Sequence, residues 1–199
     1  MTTRTIEFFW DSASPYTYLA ATQIEALAAR HGATVVWKPF LIGKAFEATG
    51  NRPPATIPAK GKYMFKDLRL WARLYGVPFW FPKVFPVASI SSLRIACGLP
   101  EALRSKWALA VMTAYWSQDQ DIGQPEVLKA VATQLGLEPE ATLALAQDPA
   151  AKEQLKANTD EAVQRGVFGA PTFFIGDAMF WGNDRFPLME ALLSGRLET

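Results

Sequence analysis

The spacing of apolar positions changes along the chain, and those changes mark its elements. Residues 5–10 (TIEFFW) are β-branched and aromatic and read as a strand; Asp-Ser-Ala-Ser-Pro follows, then Ala20, Ile24, Leu27 and Ala28 at helical spacing up to His31-Gly32. Residues 34–39 (TVVWKP) supply a second strand after a short connection, so the first forty residues make a β-α-β unit. Such a unit places its strands parallel and opens the helix N-terminus at their ends, where ligands usually sit.

The pattern then loosens. Residues 43–61 are rich in Gly, Pro and Lys and read as a long loop, whereas 63–75 are periodic, with Met64, Leu68, Trp71 and Leu74 on one face. Residues 77–86 (VPFWFPKVFP) hold three prolines, which excludes a regular element and leaves an extended aromatic loop. Helical patterns follow at 89–97, 101–117, 125–135, 139–147 and 149–165, several with Pro at the first position. Two short apolar runs, 172–175 and 178–181, flank Gly176-Asp177 and read as a hairpin, and a last helix opens at Asp184 and ends at Ser194-Gly195. The order β-α-β, helical block, β-β-α describes one α/β layer interrupted by an inserted helical domain.

Composition narrows the chemistry. The 199 residues include one Cys and one His, so neither an internal disulfide, a Cys-x-x-Cys pair nor a His/Cys zinc site can form. Hydroxyls, amides, carboxylates, amines or a borrowed cofactor must do any chemistry. Lys and Arg number 20 against 19 Asp and Glu, which gives no global field for nucleic acid or an anionic membrane. The start lacks a signal-peptide pattern, and no apolar run reaches the roughly 18 residues of a membrane span, so a cytoplasmic protein is expected.

The candidate site residues each have a structural alternative. Ser14-Pro15 is what a helix start needs, but a hydroxyl there also sits beside unpaired N–H groups suited to an anion such as a thiolate. Pro171 in Gly169-Ala-Pro-Thr172 is either a strand-initiating proline or a cis-proline. Asn183 or Asp184 can cap the last helix, and Asp184 can receive an ammonium. Asn51-Arg-Pro-Pro54 and Lys60-Gly-Lys-Tyr63 read as a solvated linker or as a site-lining loop. Trp80, Phe81 and Phe85 read as packing or as a wall for a planar substrate. Cys97 reads as core, and His31 as a helix C-terminal contact.

Taken together, F-W-D-S-A-S-P-Y-T-Y-L-A (9–20), G-N-R-P-P (50–54), K-G-K-Y-M (60–64), F-G-A-P-T (168–172) and W-G-N-D-R (181–185) resemble the family of 2-hydroxychromene-2-carboxylate isomerase and the kappa-class glutathione transferases. The resemblance covers nearly the whole chain in order. It implies a thioredoxin-like domain (1–42 and 166–199) of the disulfide-oxidoreductase A type, with 43–165 as the helical insertion. Redox relatives carry Cys-x-x-Cys where this chain has Ser14-Pro15-Tyr16-Thr17, which excludes dithiol exchange. The resemblance further implies that Ser14 hydrogen-bonds the sulfur of glutathione, with Pro15 and Tyr16 beside it. Ala170, before a cis Pro171, pairs its backbone with the tripeptide; Asn51 and Lys60 contact it from the loop, and Asn183 and Asp184 hold its γ-glutamyl end.

Asn183 is isomerase-like, where transferases commonly have Ser; residues 50–54 and 60–64 look more kappa-like, and Ala170 stands in for a larger aliphatic residue. The expected activity is cis-trans isomerisation of 2-hydroxychromene-2-carboxylate, a small aromatic carboxylate, with Lys44, Arg52, Arg69, Arg73 and Lys83 all eligible to hold the substrate carboxylate. A kappa-type transferase or peroxidase and a non-catalytic thioredoxin-like binding module are the alternatives. The family also implies a homodimer.

Overall fold

The computed structural model describes residues 4–198; the first three residues of the expected leaderless start, and Thr199, lie outside that range. Strand β1 (Arg4–Trp10) pairs in parallel with β2 (Ala33–Pro39) and antiparallel with β3 (Thr172–Ile175), which pairs with β4 (Ala178–Trp181), giving the order β2-β1-β3-β4. The hairpin lies on the residues the alternation predicts. Two of the sheet's strands come from each end of the chain, and helices fill the sequence between them.

The first helical stretch is two helices, α1 (Pro15–Ala21) and α2 (Ile24–Arg30), rather than the one expected. Thr22 Oγ1 takes up the Leu19 carbonyl at 2.7 Å and the Gln23 N–H turns to the Ala20 carbonyl at 3.0 Å, so local hydrogen bonds tighten and break the ladder. The expected loop at 43–61 is also corrected: α3 (Ile42–Thr49) ends on Gly50 at φ 69°, a 3-10 turn covers Pro54–Thr56, and α4 (Pro58–Tyr75) starts five residues earlier than its apolar period indicates. Helices α5 (Ile90–Gly98), α6 (Glu101–Trp116), α7 (Pro125–Gln134), α8 (Pro139–Ala144) and α9 (Pro149–Gln164) follow. After β4, a 3-10 turn at Asn183–Arg185 leads into α10 (Phe186–Leu193). Among the described residues no helix is long and apolar enough to cross a membrane.

Strand alternation sorts β1 onto two cores. Ile6, Phe8 and Trp10 face the larger one, where Phe8 stacks on Phe173 with ring centroids 4.8 Å apart. Phe9 faces the smaller one with Phe40, Ala45, Ala162 and Phe174, beneath α3 and α9. On that second face Glu7 meets a charge network. Lys38 lies 2.5 Å from Glu7 and 2.7 Å from Glu161, and Arg165 lies 2.7 Å from Glu7 while covering the Phe174 ring at 3.7 Å.

Burial alone raises the Glu7 carboxyl, but Lys38 and Arg165 together hold it below its usual range. A carboxyl depressed in the folded state stabilises above its unfolded value, near pH 4.5, and loses that contribution as pH falls through the folded value. Glu7→Gln is therefore expected to lower Tm by a few degrees at pH 7 and to flatten its fall below about pH 4.5. Thermal melts from pH 3 to 8 check this; a variant curve parallel to wild type removes Glu7 from the acid response.

Candidate active site

A cavity of about 1370 Å³ opens at the carboxyl ends of the two parallel strands. Its walls are the turn leading into α1, helix α3 and the loop after it, the inner face of α4, residues 85–90, and the loops at 169–171 and 181–185. All nine residues that the resemblance assigns to a glutathione site line it: Ser14, Pro15, Tyr16, Asn51, Lys60, Ala170, Pro171, Asn183 and Asp184.

Ser14 sits at the α1 N-cap with extended backbone, and Pro15 opens the helix with a fixed φ and no N–H to satisfy. Its hydroxyl oxygen accepts from the Thr17 N–H at 3.3 Å and donates to the Ala170 carbonyl at 2.9 Å. Both readings of Ser14-Pro15 thus meet in one side chain, which caps a helix and touches the opposite wall. The Ala170-Pro171 bond is cis. One turn into α1, Thr17 is fully buried, and among the described residues its hydroxyl has no hydrogen-bond partner.

The remaining positions are held by contacts between walls. Asn51 donates through Nδ2 to the Phe168 carbonyl at 2.8 Å, which ties the loop after α3 to the cis-proline loop. Tyr16 donates to Asp67 Oδ2 at 2.7 Å, and Tyr63 donates to Asp67 Oδ1 at 3.3 Å. Burial, followed by the Asp67 carboxylate, pushes the Tyr16 phenol far above its ordinary value, so it remains a donor. Asn183 is buried; Tyr75 donates to its carbonyl at 3.1 Å, and its Nδ2 reaches the Tyr75 oxygen at 3.4 Å. Gly182 has φ 109°, and a Cβ there would collide with the Asp184 carboxylate, so this glycine lets Asp184 fold back over the turn.

Of the five eligible cations, Lys44 and Arg52 line the cavity; Arg69, Arg73 and Lys83 do not, and Lys83 pairs with Asp119 at 2.8 Å. Phe85 belongs to the cavity wall. Phe81 packs among Phe65, Phe85 and Trp116, and Trp80 is exposed. Cys97 is core, its thiol pushed up to about 12 by burial, and His31 ends α2 at 3.8 Å from Glu190.

Asp11 and Asp67 are cavity residues that sequence reasoning passed over. The signal for Asp67 was its place one helical turn after Tyr63. For Asp11 it was a carboxylate set directly between a buried strand and a Ser-x-Ser-Pro turn.

The sequence profile of the DSBA-like thioredoxin domain matches residues 5–194. The chain is 34% identical to 2-hydroxychromene-2-carboxylate isomerase of Sphingobium xenophagum over 96% of its length and 98% of the relative's. It is 32% identical to glutathione S-transferase kappa 1 of Homo sapiens over 96% of its length and 91% of the relative's. A solved 2-hydroxychromene-2-carboxylate isomerase structure superposes with a TM-score of 0.85 at 30% identity, covering 96% of this chain and 95% of that one. The chain belongs to the DsbA-like thioredoxin family, in the branch of 2-hydroxychromene-2-carboxylate isomerases and kappa-class glutathione transferases, and is an enzyme of that branch.

Proposed function

We propose that this enzyme is a glutathione-dependent isomerase of 2-hydroxychromene-2-carboxylate or a closely related aromatic-catabolite ring. The observation that carries the reading is the Ser14 hydroxyl 2.9 Å from the carbonyl that precedes cis Pro171, on the wall of a cavity open to both groups. The donor set fits the tripeptide: Ser14 for a thiolate, Lys60 for a carboxylate, Asp184 for an ammonium, and Ala170 for backbone pairing. The cavity, about 1370 Å³, exceeds the roughly 1,000 Å³ upper range of single-ligand pockets, which leaves room for a second, aromatic ligand.

Bound glutathione would supply the thiolate nucleophile that turns rotation about a double bond into rotation about a single bond and is then expelled. Ser14 trades its bond to the Ala170 carbonyl for one to sulfur and favours the ionised thiol, whose pKa is otherwise near 8.5. Asn51 and Asn183 keep the loops around the tripeptide in place through their bonds to Phe168 and Tyr75. Lys44 and Arg52 are the cations available to the substrate carboxylate. Phe85 and the neighbouring Pro86 and Val87 offer an apolar wall for its ring.

The kappa transferase relative supports a second reading, in which the same thiolate attacks an external electrophile. Parallel assays decide: isomerisation of the chromene should require glutathione and exceed chlorodinitrobenzene conjugation, and strong conjugation without isomerisation would overturn the first reading. Absence of glutathione binding at millimolar concentration in calorimetry would favour a non-catalytic binding module. A homodimer, expected from the family, is checked by light scattering on the same samples.

A further inference from the structure

Among the described residues Asp11 is the one buried charged side chain, 1% exposed, and the proposed reaction assigns it no role. It follows β1 directly, and its two oxygens reach different walls of the cavity. Oδ1 accepts from the Ala13 N–H at 2.9 Å, in the turn that delivers Ser14. Oδ2 accepts from the Ile42 N–H at 3.0 Å, at the first residue of α3. The Ser89 hydroxyl, just ahead of α5, favours the ionised form of the same carboxylate. All three segments line the cavity.

A buried carboxylate is costly for stability compared with an apolar side chain of the same volume, so its use here points to geometry. Burial pushes the Asp11 carboxyl up, against its donors, which favour the ionised form; both of its backbone partners only donate, and the Ile42 N–H has no acceptor within its own helix. Helix α3 buries just Ala45, so packing holds it weakly, and its start is pinned by Asp11 together with Thr159, whose hydroxyl accepts from the Leu41 N–H at 3.1 Å. The far end of α3 leads through Gly50 to Asn51, which reaches across to Phe168.

We propose that Asp11 is a positioning residue that fixes the separation between the Ser14 turn and the α3–Asn51 arm, so that both walls meet glutathione in register. This role rests on the glutathione reading of the site. It does not require Asp11 to touch either ligand.

Two substitutions separate its halves. Asp11→Asn keeps the volume but turns an NH₂ group toward one of the two N–H donors, releasing one wall. Ile42→Pro removes the donor on α3 together with a side chain that packs on the Phe9 and Phe40 core, so Ile42→Ala, which keeps the N–H, is its control; proline is tolerated at a first helical position, and Leu41 at φ −88° and ψ 102° already has the extended backbone that precedes proline.

In the free protein, Asp11→Asn is expected to speed amide exchange about tenfold on the wall its NH₂ group releases, at Lys44 and Ala45 on α3 or at Ala13 in the Ser14 turn, while amides of β1 and β2 keep their rates. Calorimetry should show glutathione affinity about tenfold weaker in each variant, with the double variant no weaker than the worse single, because either change breaks the same bridge between the walls. Unchanged exchange both on α3 and at Ala13, or acceleration shared equally by the whole sheet, would overturn the proposal. If Asp11→Asn fails to fold, Ile42→Pro gives the same decision through its glutathione affinity and Ala45 exchange. Wild-type protein that binds no glutathione would instead refute the ligand reading, and the exchange data would still decide the role of Asp11.

Discussion

Ser14→Ala is expected to lower glutathione-dependent turnover by about 10²-fold, the usual effect of removing one preorganised donor to developing or bound negative charge. The same change removes the cap on Thr17 and leaves the Ala170 carbonyl without its hydroxyl donor, at a stability cost of about 1–3 kcal/mol. Thermal melts must therefore accompany the kinetics. Tripeptide affinity should change much less than turnover, since its charged ends are held elsewhere, and the thiol pKa of bound glutathione, read by ultraviolet absorbance, should climb toward the free value near 8.5. Wild-type turnover in a folded Ser14→Ala protein would remove Ser14 from the chemistry.

Trp116→Ala is the substitution expected to cost most in stability, about 3–5 kcal/mol from the lost ring alone. Trp116 is fully buried at the end of α6, with ring centroids of Tyr115 at 4.6 Å, Phe81 at 5.9 Å and Phe79 at 6.1 Å. Its Nε1 donates to the Ser12 carbonyl at 2.9 Å, and the Ser12 hydroxyl meets that of Ser92 on α5 at 2.9 Å. The proline-rich aromatic loop and the turn that carries Ser14 therefore share one indole. Trp116→Phe separates the contributions: it keeps most of the packing and leaves the Ser12 carbonyl unpaired, for about 1–3 kcal/mol. Urea denaturation midpoints measure both, and equal midpoints for the two variants would show that packing of the ring is not what holds the loop.

Much of this architecture can be read from the residues because the strands carry their own signal. The alternation in TIEFFW sends Phe8 and Phe9 to opposite faces, and the Gly176-Asp177 turn sets the hairpin register. Helix α3 carries no such signal. Its single buried residue is Ala45, Gly43 lies in its first turn, and what fixes it, Asp11 and Thr159, lies 31 and 118 residues away along the chain. The break between α1 and α2 is hidden for the opposite reason, since the apolar spacing from Ala20 to Leu27 runs on through it. The nine candidate site residues could be named from their motifs, but their partners could not. The bond from Asn51 to Phe168 spans 117 positions, and that Lys44 and Arg52 rather than Arg69, Arg73 and Lys83 line the cavity depends on how α3, α4 and the loops beside them lie.

The unpartnered Thr17 hydroxyl has a bearing on how the enzyme is cleared between turnovers. In relatives with two cysteines, the second thiol attacks the first and frees whatever is attached to it. Here the corresponding position is a fully buried alcohol, which is no match for a thiolate as a leaving or attacking group. A sulfur bound beside Ser14 therefore has no internal rescuer. Under the glutathione reading the tripeptide is held by non-covalent contacts alone, so an adduct on its sulfur leaves by dissociation and no second thiol is needed to clear the cavity.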